Sequence, residues 1–156
     1  MVSANRSRKD LKRIMALALL TALSIPSQAS AAANSCPKYE PLLRKHFPAK
    51  VVPVMSRIMY RESRCTPKAI GWNYRPGTGA SNCKLAPAAT YRKCKAVKSY
   101  DIGLLQINST WLSVTRAVCK KQDIIRALQD PSCNVRVARY LYDNGGLGHW
   151  RATSGS

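Results

Sequence analysis

The chain has 156 residues, of which 26 are Lys or Arg and 7 are Asp or Glu, for a formal net charge of +19. This length suits one ordinary domain with a single core and excludes a second large one. The charge points to anionic surfaces, yet the densest basic run, YRKCKAVK at 91–98, lacks the motif context of a nucleic-acid reader, so nucleic acid is not an expected partner.

Residues 1–33 read as an export signal. Arg6, Arg8, Lys9, Lys12 and Arg13 form a basic segment, IMALALLTAL is a short apolar stretch, and ASAAA offers small residues for cleavage. The apolar stretch falls short of the roughly 20 residues that a membrane-spanning helix needs. No stable membrane insertion is therefore expected after cleavage, and the domain is expected over 34–156. Without the leader, twenty-one bases face six acids, a net charge of +15. The expected location is secreted, extracellular or within the cell envelope, the periplasm if the host has an outer membrane.

All six cysteines, at 36, 65, 83, 94, 119 and 133, follow the leader. In a small exported domain an even count argues for disulfides, and the chain has no C-x-x-C pair or Cys/His cluster to support a metal. About fifteen pairings are open. The short-range choices are Cys83 with Cys94 and Cys119 with Cys133, which leave Cys36 for Cys65.

In chain order, two helices are expected between Tyr39 and Arg64, the first opened by Pro41 and the second starting between Pro48 and Pro53. Val51, Met55, Ile58 and Glu62 follow at helical steps with Val54 beside them, so Glu62 continues an apolar stripe. From Thr66 to Lys98 the periodicity vanishes and GWNYRPGTGASNC carries turn residues, predicting loops with a small hairpin. Helical character returns in STWLSVTRAVC and DIIRALQD. Asp130-Pro131 then reads as an N-cap and first helical residue of a last long helix. Val135, Ala138 and Leu141 mark its inward face, Arg136, Arg139 and Asp143 its solvated one. NGGLG ends it, with Trp150 just beyond.

Six acids remain after the leader, and four have ordinary roles. Glu40 and Asp123 suit helix starts, Asp130 is an N-cap, and Asp143 has Arg139 four residues away. Glu62 fits none of these, because it lies in the last helical turn, where the dipole disfavours an anion, and no base lies three or four residues from it. If its stripe faces the core, desolvation should favour the protonated form, which suits a general acid. Asp101 could cap a short helix from Ile102 or serve as a second carboxyl in a polar loop. Two carboxyls in contrasting settings form the constellation used for glycosidic cleavage. His46 and His149, the two histidines, lie in no nucleophile or metal motif, so neither a catalytic triad nor a metal site is expected.

RESRCTPKAIGWN, SYDIGLLQINSTW and DPSCNVRVARYLYDNGGLGHW together resemble the lysozyme-like superfamily, particularly bacterial transglycosylase SLT domains and, around DIGLLQINS, the animal c-type lysozymes. The resemblance covers about residues 50–150. It implies an α+β, mainly α, lysozyme-like fold: helices around a catalytic cleft with a small loop or hairpin region, stapled by disulfides. It further implies a cofactor-free, monomeric enzyme that cuts the β-1,4 bond between N-acetylmuramic acid and N-acetylglucosamine in peptidoglycan glycan strands. By position, Glu62 is the catalytic acid and Asp101 matches the second carboxylate of c-type lysozymes. Ser63, Gln106 and Asn108 match motif positions at the sugar cleft, the two amides having hydrogen bonding within a loop or strand end as their alternative, and Tyr142 and Trp150 either face sugar rings or pack in the core. The Tyr-Asn-Ala-Gly segment of many SLT domains is missing, which leaves no tyrosine assignment beside the acid. The reaction is expected to be lytic transglycosylation. The alternatives are hydrolysis using Glu62 and Asp101, or a non-catalytic cationic protein that binds walls or kills cells. Anionic wall polymers are further candidate partners.

Overall fold

A computed structural model describes residues 34–78, 83 and 94–151; the expected signal, 1–33, and much of the loop before residue 94 lie outside these. The expected mainly helical α+β class with a small hairpin region and disulfide staples is what the chain adopts. Five α-helices are described: α1 (Glu40–Arg44), α2 (Val52–Ser63), α3 (Leu112–Cys119), α4 (Ile124–Leu128) and α5 (Pro131–Gly145). They accompany an antiparallel sheet of β1 (Ile70–Tyr74), β2 (Val97–Ile102) and β3 (Ile107–Asn108), in that order. Short 3₁₀ turns precede α1, α2 and α3, and another follows α5.

The helix boundaries follow from local chemistry. α1, α2 and α5 each carry Pro within their first two positions, where a missing N–H costs no hydrogen bond. The Asp123 carboxylate accepts from the backbone of Ile125 and Arg126 at the start of α4, and Asp130 accepts from Cys133 N–H at the start of α5. Glu40 opens α1 and pairs with Arg44, while Arg139 donates through Nε to both Asp143 oxygens at 2.8 Å. The four acids with ordinary expected roles thus fill them. α2 stops because Arg64 takes the left-handed conformation at its C-cap (φ 52°) and Cys65 continues it (φ 60°).

The core joins Val52, Met55, Ile58 and Met59 of α2, Ile102, Leu104, Leu105 and Ile107 around the sheet, and Val135, Val137, Ala138 and Leu141 of α5. This confirms the inward faces read for both long helices. The disulfides are Cys36–Cys65, Cys83–Cys94 and Cys119–Cys133, as the short-range reading expected. Cys36–Cys65 binds the start of the domain to the end of α2, and Cys119–Cys133 ties α3 to α5. Among the described residues no helix is long and apolar enough to cross a membrane. The three disulfides are consistent with an exported protein.

Candidate active site

Asp101 lies on strand β2 rather than in a loop or at a helix start. It stands opposite Gly71 of β1 and Asn108 of β3. Side chains alternate across a strand, so Ser99 shares its face, and Ser99 is opposite Asn73. Four polar side chains consequently meet on one face of the sheet. Asn108 Nδ2 donates to Asp101 Oδ1 and Asn73 Nδ2 to Asp101 Oδ2, each at 2.7 Å. Each amide gives its second proton to Ser99 Oγ, at 3.2 and 3.3 Å, so the carboxylate is bridged on both sides through one hydroxyl. Asn108 Oδ1 also accepts from Thr110 N–H and caps the turn leading to α3. The other face of β2 carries Ile102, fully buried, and Tyr100, which packs on the core and on Trp72 with ring centroids 5.4 Å apart.

The segment after Asp101 is a tight turn held from several directions. Gln106 N–H donates to Gly103 O at 3.2 Å, closing the turn, and Gly103 N–H donates to Ala69 O at 2.8 Å. Gly103 has φ +78°, and a Cβ there would lie 2.2 Å from Leu128 O and 2.3 Å from Asn134 Nδ2. Only glycine fits such a position. Asn134, fully buried on α5, donates to Ile102 O and Leu128 O and accepts from Leu105 N–H. The Trp150 indole donates to Leu105 O at 3.0 Å.

Glu62 is half-buried in the last turn of α2, following Met55 and Ile58, which are fully buried. Its neighbour Ser63 fixes where this helix end lies. The Ser63 hydroxyl is buried between two carbonyl acceptors, Leu104 O at 2.9 Å and Met59 O at 3.1 Å, which share its single proton. The helix end that carries Glu62 is therefore tied to the turn that begins two residues after Asp101.

The remaining candidates divide by burial. Gln106 (φ 45°) folds its side chain back, donating to Gly103 O at 2.8 Å and Ala69 O at 3.3 Å. Its Oε1 lies 3.1 Å from where a Gly71 Cβ would be, so Gly71 opens the space that the amide occupies. Asn108 binds Asp101 as described. Ser63, Gln106, Asn108 and Asp101 thus belong to one neighbourhood. Ser63, expected at the sugar cleft, instead spends its hydroxyl on the backbone and acts as a buried tie. Trp150, for which core packing stood beside a sugar-facing role, is 5% exposed and serves the core and the turn. Tyr142 is half-buried, with its ring edge-on to the buried Phe47 at 5.6 Å. Both aromatics follow the core-packing pattern, because apolar ring area is worth more buried than displayed.

Asn73, Ser99 and Asn134 are not legible in the sequence as part of this site. The roles of Asn73 and Ser99 depend on register across the sheet. Asn134 depends on the packing of α5 against a turn thirty residues earlier. No family model matches the chain, and no curated protein or solved structure matches it either.

Proposed function

We propose that this chain is an exported lysozyme-like enzyme that cleaves the MurNAc-β-1,4-GlcNAc bond of peptidoglycan, as a lytic transglycosylase that leaves 1,6-anhydro-MurNAc ends. The observation that carries the reading is the Ser63–Leu104 bond, which brings the Glu62 helix end to the same turn that positions Asp101 and Gln106. It supports a two-carboxyl neighbourhood assembled from sequence segments far apart. The motif resemblance supplies the substrate class.

In this reading the Glu62 carboxyl gives its proton to the glycosidic oxygen as the C1–O bond breaks and positive charge builds on the muramic ring. The Glu62 carboxylate then takes the proton from the C6 hydroxyl of the same sugar as O6 closes on C1. No water is consumed, and the glutamate ends protonated, as it began. Asp101 faces the developing charge as a fixed anion. Both its oxygens already accept short amide hydrogen bonds, which suits a held electrostatic stabiliser better than a nucleophile that must approach C1.

A hydrolytic reading draws on the same observation: a held Asp101 carboxylate can also stabilise the charged ring until water attacks C1. Soluble glycan released from purified peptidoglycan sacculi tests the class. The wild-type chain should release it. Glu62→Gln should lose release by about 10²–10⁴-fold, the usual contribution of a positioned acid, while still sedimenting with the sacculi. A Glu62→Gln protein as active as the wild type would remove Glu62 as the acid, and a wild type that binds sacculi and releases nothing leaves a non-catalytic cationic wall binder.

A further inference from the structure

α3 and α5 run antiparallel. Cys119–Cys133 joins the end of α3 to the start of α5, and Trp111, just before α3, meets His149, just beyond α5, with ring centroids 5.5 Å apart. Between the two helices lies a groove of about 260 Å³, lined by Ser113, Val114, Ala117 and Val118 of α3 and by Tyr140 of α5. Ser113 and Ala117, small residues one turn apart, keep the α3 wall low, while Tyr140 stands 43% exposed on the other wall. None of these residues belongs to the neighbourhood of Asp101.

Bases flank both walls. On α3, Arg116 lies three residues after Ser113 and Lys120 three after Ala117; on α5, Arg136 lies one turn before Tyr140, and all three bases are exposed. The residues three and four positions from Arg116 are Leu112, Ser113, Cys119 and Lys120, and those from Arg136 are Ser132, Cys133, Arg139 and Tyr140, so no helical neighbour is acidic. Among the described residues neither arginine makes an ion pair, unlike Arg126 and Arg139, which have Asp123 and Asp143. Because the helices are antiparallel, Arg116, Lys120 and Arg136 gather toward the Cys119–Cys133 end of the groove. The groove thus joins an apolar middle to a basic end.

We infer that the α3–α5 groove docks an acidic partner protein through an amphipathic segment, whose aliphatic side chain enters between Val114, Val118 and Tyr140 while its carboxylates meet Arg116, Lys120 and Arg136. Charge complementarity selects this occupant. A second copy would bring a net charge of +15 to a basic rim, and four of its six acids are already held at helix starts and in ion pairs. The chain's own remaining segments do not supply the carboxylates either: residues 1–33 carry Asp10 against five bases, and residues 79–93 carry no acid. The groove shares no residue with the candidate active site, so docking stands or falls separately from the catalytic reading.

The probe is a labelled helical peptide of glutamates with two leucines one turn apart, its affinity read by fluorescence anisotropy. Tyr140→Ala should weaken binding at least about tenfold, as removal of an aromatic anchor does. Arg116→Gln with Arg136→Gln should also cost at least about tenfold, whereas Lys50→Gln with Arg57→Gln, the same charge taken from exposed positions at α2, should cost less than about threefold. Ala117→Arg fills the groove while adding a positive charge, so docking predicts weaker binding where general attraction predicts stronger. Because all these side chains are exposed, thermal midpoints should stay near the wild-type value, which shows that the variants are folded. No wild-type binding, equal affinity for a peptide whose leucines are serines, equal losses in the two double variants, or tighter binding by Ala117→Arg would overturn the proposal. So would a wild type that dimerises where Ala117→Arg stays monomeric, which would give the groove to a second copy, or one that binds phosphatidylglycerol vesicles more tightly than the peptide, which would make it a membrane face.

Discussion

In the proposed reading, Asp101 is the residue whose chemistry divides the two cleavage reactions. With Asn73 and Asn108 donating to its oxygens at 2.7 Å, an Asp101→Asn substitution removes the negative charge and places an amide N–H₂ against one of those donors. If Asp101 stabilises charge while O6 attacks, the variant should keep measurable turnover, with kcat reduced about 10–100-fold and the same anhydro product. A loss as complete as that of Glu62→Gln would assign Asp101 an obligatory covalent or base role. His46 gives a second test at this scale. Its burial, then the charges of Arg136, Arg139 and Lys45, lower its pKa below the ordinary value of 6.5. A depressed folded value means that the unfolded chain binds the proton more readily, so this contribution to stability is present above the ordinary pKa and is lost as pH falls through the folded one. Thermal midpoints should therefore fall more between pH 7 and pH 5 in the wild type than in His46→Gln; equal falls would remove His46 as a cause.

The turn at 102–106 is the element on which the site depends, because Ser63, Asn134, Trp150 and Gln106 all bind its backbone. A Gly103→Ala methyl would meet the Leu128 carbonyl, a backbone atom, at 2.2 Å in a conformation with positive φ. Strain and overpacking together predict a loss of about 3–5 kcal/mol, read from the denaturant midpoint. A loss under about 1 kcal/mol would mean that the turn relaxes freely and that Asn134 does not clamp it. The long helices were legible in the sequence because their apolar positions recur at helical steps and their ends carry Pro, Asp and left-handed caps. The strands were not. β1 and β2 are separated by more than twenty residues, and the polar residues of their site face, Asn73, Ser99 and Asp101, read as loop composition until pairing brings them together. The internal ties made by Trp150 and Ser63 have the same origin. An aromatic or hydroxyl near a motif looks available in one dimension, and burial decides otherwise.

Across the molecule, three disulfides brace a domain whose candidate site is gathered from α2, the sheet and α5. Cys36–Cys65 closes a loop with a sequence separation of 29 directly behind the Glu62 helix end. Replacing both cysteines with alanine should cost about 3–4 kcal/mol by the chain-entropy account. It should also lower glycan release before it abolishes folding, since Arg64 and Cys65 fix the exit from α2. Unchanged stability would show that the unfolded chain is not constrained by this bridge. The disulfide pattern could be anticipated from spacing, whereas the polar face around Asp101 could not, because it depends on strand register. The central claim is that Glu62 delivers and recovers one proton while the sugar closes on itself. Mass spectrometry of muropeptides released from sacculi by the wild-type chain and by Glu62→Gln tests this most directly. The account predicts 1,6-anhydro-MurNAc ends from the wild type and at least about a hundredfold fewer from the variant in the same time. Reducing MurNAc ends from the wild type, or anhydro ends formed as fast without the Glu62 carboxyl, would contradict it.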